Sequence, residues 1–170
     1  FCQKALDRAE ESGASQGVLN ILNSALNTIQ ANNRNYRSVA GEKFGHFNTL
    51  RKNEQETSGE AIEALRYSAR AEIDLNETET GGEQIDLALS LANKAGNLTD
   101  DLQCRIGIVD ALRDFHLNKT SIAEEKLFHL CRKYLLAGTL TSHAYSSLLR
   151  EYFRIIWRRD DLPKFWKGCI

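Results

Sequence analysis

Apolar residues recur along this chain every three or four positions, the spacing of one helix face. Residues 2–11 predict a short first helix, closed by Ser12-Gly13. Ser15 caps a second, with Val18, Leu19, Leu22, Leu26 and Ile29 along one side and the polar run ANNRN (31–35) ending it. A third runs from about Tyr36 to Glu54 and carries Val39, Phe44, Phe47 and Leu50. Thr57-Ser-Gly-Glu60 has the form of a capping box, in which Thr57 covers a backbone N–H and Glu60 reaches back. It opens a fourth helix bearing Ile62, Leu65, Ala69 and Ile73.

NETETGG (76–82) reads as a loop whose two glycines supply the positive φ that turns often need. Helix five holds Ile85, Leu87, Leu89 and Leu91 and stops at Ala95-Gly96. Thr99, Asp100 and Asp101 open the sixth, acidic groups favouring the positive end of a helix dipole. It ends near Leu117, and a second capping box, Ser121-Ile-Ala-Glu124, starts a seventh that Gly138 closes. An eighth spans about Thr141 to Arg159, and Asp161-Leu-Pro163 begins a last short one, proline suiting a first turn. No internal repeat or linker stands out. The expected fold is all-α, residues 1–170 forming one domain, a compact bundle of about eight helices.

Composition sharpens this. One proline in 170 residues leaves helix interiors uninterrupted. A chain with 42% apolar and 26% charged residues is ordinary for a globular protein that buries one core. No run of 18 apolar residues exists, so no membrane insertion is expected. Methionine is absent, from which we expect a cleaved leader or an excised domain.

Four cysteines admit free core thiols in a cytosolic protein or two disulfides in a secreted one, and three N-x-[ST] sequons, at Asn76, Asn97 and Asn118, favour the secreted glycoprotein. Each sequon falls where the helical pattern breaks, the exposure that a glycan requires. Cys104 and Cys131 lie almost equally far from Asn118, so an antiparallel helix pair turning there sets them side by side. A Cys104–Cys131 bridge is therefore expected, leaving Cys2 to pair with Cys169, although four cysteines allow three connectivities.

The charge is uneven. Residues 121–170 carry nine Lys/Arg and five Asp/Glu, whereas residues 54–101 carry twelve acids and three bases. In the eighth helix Arg150, Arg154 and Arg158 recur every four residues on one face, with Trp157 at its border. Leu148, Tyr152, Phe153 and Ile156 are expected to be its buried side. The row is either the solvated edge of a core helix or, since arginine beside aromatics is the composition of interface anchors, a candidate partner-binding surface. The acidic stretch 54–101 is the other candidate surface, suited to a basic partner. The chain is not basic as a whole, which argues against nucleic acid as the partner.

Catalytic chemistry has no visible carrier. No nucleophile elbow, phosphate loop or H-E-x-x-H is present. Glu42…His46 and Glu125…His129 are spaced four apart, not the three of a helical di-iron site. No close Cys/His cluster suggests zinc. We expect a non-enzyme with no cofactor and no metal, acting as a monomer. Gly41-x-x-x-Gly45 is read as a site of local close packing inside the third helix.

FCQKALDRAEESG (1–13), DDLQCRIGIVDALRDF (100–115), KLFHLCRKYLLAG (126–138) and DLPKFWKGC (161–169) set a four-cysteine, nearly proline-free helical pattern. In this the chain resembles the C-terminal domain of the mosquito salivary 30 kDa antigen family, the family of aegyptin and anopheline antiplatelet protein. The resemblance implies binding to exposed collagen, which blocks its contact with platelet receptors and von Willebrand factor. It also implies that the chain corresponds to the part that follows the family's acidic Gly/Glu-rich region. The expected function is thus a secreted binding protein that masks a host protein surface, collagen first. The alternatives are a helical, cytokine-like or immune-modulating receptor ligand, and a carrier of a small apolar ligand.

Overall fold

The computed structural model describes residues 2–157, apart from the side chains of residues 2–6, 17, 20, 135 and 157. Seven α-helices make up this span: α1 (Cys2–Glu11), α2 (Gln16–Lys52), α3 (Gly59–Asp74), α4 (Thr78–Ala95), α5 (Asp100–His116), α6 (Thr120–Ala137) and α7 (Ser142–Trp157). The all-α expectation holds. Arg158, Cys169 and the short helix expected at 161–163 lie outside the described residues, as do the side chains of Cys2 and Trp157.

One boundary moved. ANNRN does not end a helix, and α2 runs through it for 37 residues. Asparagine is only a mildly poor helix former, and between Gly17 and Gly41 no glycine or proline interrupts the run. The capping boxes also resolve differently. The N-cap of α3 is Ser58, whose hydroxyl accepts from Ala61 N–H at 3.1 Å. Glu60 bonds the ring of His46 on α2 at 2.9 Å instead of reaching back. Asn118 adopts φ 60° and Lys119 N–H returns to the Asp114 carbonyl at 2.8 Å, so α6 starts at Thr120, ahead of the expected cap Ser121. Ser121 and Glu124 therefore both lie inside the helix and do not bracket its first turn.

The glycines at 81 and 82 are helical and buried. A Cβ at Gly81 would stand 2.7 Å from Ile73 Cγ1 and 2.9 Å from the Ala69 carbonyl oxygen, so this glycine lets α4 lie close on α3. Gly41 and Gly45, expected to pack closely, face open space.

A repeat that the sequence reading missed organises α3 to α7. Asn76 and Asn118, Thr78 and Thr120, Gly96 and Gly138, and Thr99 and Thr141 each lie 42 positions apart. Asn76 and Asn118 hold left-handed φ values of 68° and 60° at the ends of α3 and α5. Gly96 and Gly138 do the same at the ends of α4 and α6, with φ of 69° and 63°. LNET and AGNLT in the first unit correspond to LNKT and AGTLT in the second. Each unit is a helix pair, and α7 begins a third. This is the period of α-solenoid repeats, in which each pair buries its apolar face on the next.

The core follows from the stacking. Ile62, Leu65 and Ile73 of α3 meet Ile85 and Leu91 of α4, Ile106, Val109 and Leu112 of α5, Leu127 of α6 and Leu148 of α7, all 2% exposed or less. Phe47 and Leu50 from the end of α2 close one side, and Ser68 pins the pair by donating to the Ala40 carbonyl at 3.1 Å. Gly107 admits Leu130 between α5 and α6.

Cys104 and Cys131 both face this seam, but they are buried free thiols and not a disulfide. Equal distance from a turn places two residues on the same seam, yet packed helix axes stand about 8–10 Å apart. A disulfide needs Cα atoms within about 4.4–6.8 Å and converging Cβ vectors, a stricter condition. The expected Cys2–Cys169 partner bridge falls outside the described residues.

Candidate functional site: the concave face of α3, α5 and α7

In the stack, α3 touches α5 and α5 touches α7, whereas the backbones of α4 and α6 stay apart. The odd-numbered helices form the closer row, and an array curves toward its closer row. On that concave side lies a cleft of about 290 Å³. Positions at 42-residue offsets line it: Arg105 with Ser147, then Arg66 with Ile108 and Arg150, then Tyr67 with Val109 and Glu151.

Arginine dominates the cleft, and the guanidinium groups of Arg66, Arg70 and Arg105 are braced. Arg66 donates from Nε and Nη2 to Glu63 at 2.7 and 3.0 Å, and its guanidinium lies 3.9 Å over the Tyr67 ring. Arg105 reaches the same Glu63 at 3.1 Å and stands 3.8 Å from Asp101. Arg70 donates to Asp74 at 2.7 Å and to Glu151 at 3.2 Å, tying α3 to α7. Burial alone pulls the Arg70 pKa down, but the Asp74 and Glu151 charges outweigh it and raise it above its ordinary value. Burial likewise works to raise the Asp101 carboxyl, yet bonds from the Thr141 hydroxyl and N–H, at 2.5 and 2.9 Å, together with Arg105 hold it below the usual carboxylate range. Asp101 thereby locks the start of α7 against α5.

Glu151 is the residue that sequence reasoning missed. The buried row of α7 is Ala144, Leu148, Glu151 and Ile155, so a carboxylate occupies a core position at 2% exposure. Three arginines surround it: Arg70 at 3.2 Å, Arg154 at 3.2 Å and Arg150 at 3.7 Å. A buried carboxylate among apolar neighbours breaks the helical stripe and was skipped for that reason. Phe153, expected inside, is 45% exposed instead.

Of the predicted partner-binding residues, Arg150 stands at the rim of the cleft with its side chain 71% exposed, and Arg154 turns inward to Glu151. Trp157 ends α7, and its side chain and Arg158 are outside the described residues. Arg66 and Arg70, the counterparts of Arg150 and Arg154 two repeats earlier, join the same face. The 84-position offset between these two pairs was the available signal, hidden because the repeat itself had not been recognised.

The three sequon asparagines are exposed, each beyond a helix end. On the other side of the stack, Lys126 bridges Asp110 and Asp114 at 2.5 and 2.6 Å, and Arg113 links Asp110 to Asp86. That cluster staples α4, α5 and α6. Among the described residues no helix is long and apolar enough to cross a membrane. No three His, Cys, Asp or Glu side chains there are grouped to hold a metal ion. Comparison with family models, with curated proteins and with solved structures gives no match.

Proposed function

We propose that the chain is a secreted, non-enzymatic binding protein whose concave α3–α5–α7 face covers a partner protein, with collagen as that partner. The observation that carries the reading is the arginine-lined cleft on the inner row of a helical stack, where Tyr67 and exposed Arg150 add the residue types that anchor protein interfaces. Stacked helix pairs of this kind use their concave side to hold extended partners. The exposed sequons accord with passage through the secretory route, and the choice of collagen comes from the resemblance to the salivary family.

Surface plasmon resonance of the full chain over immobilised fibrillar collagen tests the reading. Saturable binding that weakens between low and physiological salt is expected, because a rim charge acts through screened attraction. Arg150→Glu is expected to weaken it about tenfold, chiefly in the association rate. A flat response at both salts removes collagen as the partner.

A further inference from the structure

We infer that the α3–α5–α7 cleft is an oxyanion site, and that the group it takes is an acidic side chain on an extended segment of the partner protein. The inference rests on the binding reading above and names what that face recognises.

Charge and donor number carry it. Arg66, Arg70, Arg105 and Arg150 line the cleft with Asp74 and Glu151, and Arg154, Glu63 and Asp101 are ion-paired to these lining residues from behind. Five cations meet four anions, so one positive charge is left over. The donor balance is more lopsided, since each guanidinium offers five N–H groups. Arg66 and Arg70 are already held in position by short bonds to Glu63 and Asp74. Arg150 is the loose member, touching Glu151 only at 3.7 Å and projecting into solvent at the mouth.

A carboxylate or sulfate entering there meets guanidinium donors that are already oriented, with Ile108 and Val109 keeping one wall dry. Planar guanidinium groups suit a carboxylate by paired parallel bonds. The cleft's volume of about 290 Å³ suits one side chain and not a folded loop. Tyr67, exposed beside Arg66, offers its ring to the backbone that carries that side chain. An acidic side chain is favoured over a free anion because a row of three helices supplies a track for extended chain on either side of the cleft.

The test is a titration of the full chain followed by NMR at the arginine Nε–H groups, at fixed ionic strength. The probes are a capped Gly-Glu-Gly peptide, its Gly-Gln-Gly counterpart and sodium sulfate. The Glu peptide is expected to shift the Arg105 and Arg150 resonances saturably, with a Kd on the order of millimolar for one charge-assisted contact. The Gln peptide should leave them in place. Arg150→Gln should weaken the Glu peptide about tenfold while leaving Tm unchanged, as befits an exposed rim residue.

Equal shifts from the Gln and Glu peptides would overturn the inference, as would Glu-peptide shifts untouched by Arg150→Gln. Binding of sulfate with no response to the Glu peptide would overturn it too, marking the cleft for sulfated polysaccharide or a free ion. If the Glu peptide binds and collagen does not, the site stands and the collagen reading falls. If collagen binds and the Glu peptide is ignored, the reverse holds.

Discussion

The first half of α2 and the helices from α3 onward share one apolar periodicity but meet different surroundings. Val18, Ile29, Tyr36 and Phe47 are separated by 11, 7 and 11 residues, close to whole numbers of turns, so they lie along one side of α2. Phe47 is 1% exposed because α3 covers it, whereas Val18, Ile29 and Tyr36 are 45%, 41% and 37% exposed. The cause is length. A helix of 37 residues extends about 56 Å and α3, with 16, about 24 Å, so α3 can cover less than half of α2. Among the described residues α1 packs on α2 alone. A hydrophobic stripe therefore states what a helix could bury, and the neighbour's length decides what it does bury.

Paired truncations should separate the two regions most widely. Leu65→Ala, at a site with no exposure, is expected to lower unfolding free energy by about 2–5 kcal/mol through lost burial and a residual cavity. Ile21→Ala, at 71% exposure, should stay within about 0.5 kcal/mol. Urea midpoints at constant m-value read both. A cost for Ile21→Ala comparable to that of Leu65→Ala would mean that something in solution covers the first half of α2.

Glycine to alanine changes should differ in sign between a packed face and an open one. At Gly81 the new methyl meets Ile73 at 2.7 Å and the Ala69 carbonyl oxygen at 2.9 Å, and backbone cannot rotate aside. Overpacking of this kind costs about 1–3 kcal/mol. At Gly45 the methyl meets open space within a helix, so Gly45→Ala should stabilise by about 0.5–1 kcal/mol through helix propensity alone. A destabilising Gly45→Ala would place that face of α2 against a partner, and the contrast with α3–α7 would narrow.

Much of the fold was legible. Both ends of α1, α3, α5 and α6, the end of α4 and the start of α7 fall within a few residues of their expected places, because caps such as Thr99 and stops such as Gly96 and Gly138 act through local backbone geometry. The α2 fusion was not legible, since a polar run without glycine or proline reads equally as a loop or as an exposed helix. Arg150 could be picked out by type and spacing. Its setting could not, because Arg66, Arg70 and Arg105 reach the cleft from helices 40 to 90 residues away and only the 42-residue register brings them together. The free thiols were misread because spacing fixes which seam a side chain occupies but not the separation of two Cβ atoms across it.

Those thiols yield an effect that grows with pH, and it lies wholly within the packed region. Burial, with the Cys131 thiol close by, pushes the Cys104 thiol from its ordinary 9.0 up to about 12. Burial also raises Cys131 and Tyr134. Between about pH 9 and 12 the unfolded chain gives up the Cys104 proton while the folded chain keeps it. The unfolded state then binds fewer protons, so stability falls as pH rises through that window and is constant below it. Each such group contributes a slope of about 1.4 kcal/mol per pH unit. Urea midpoints at pH 8 and pH 10 should show the loss, and Cys104→Ala should reduce it. Amide exchange in α5 and α6 should quicken with the loss of global stability. Amides in the first half of α2, which open locally, should not respond beyond the ordinary base catalysis of exchange. A chain whose Cys104 and Cys131 were joined in a disulfide would have no thiol to titrate there, and its alkaline slope would match that of the double variant Cys104→Ala, Cys131→Ala.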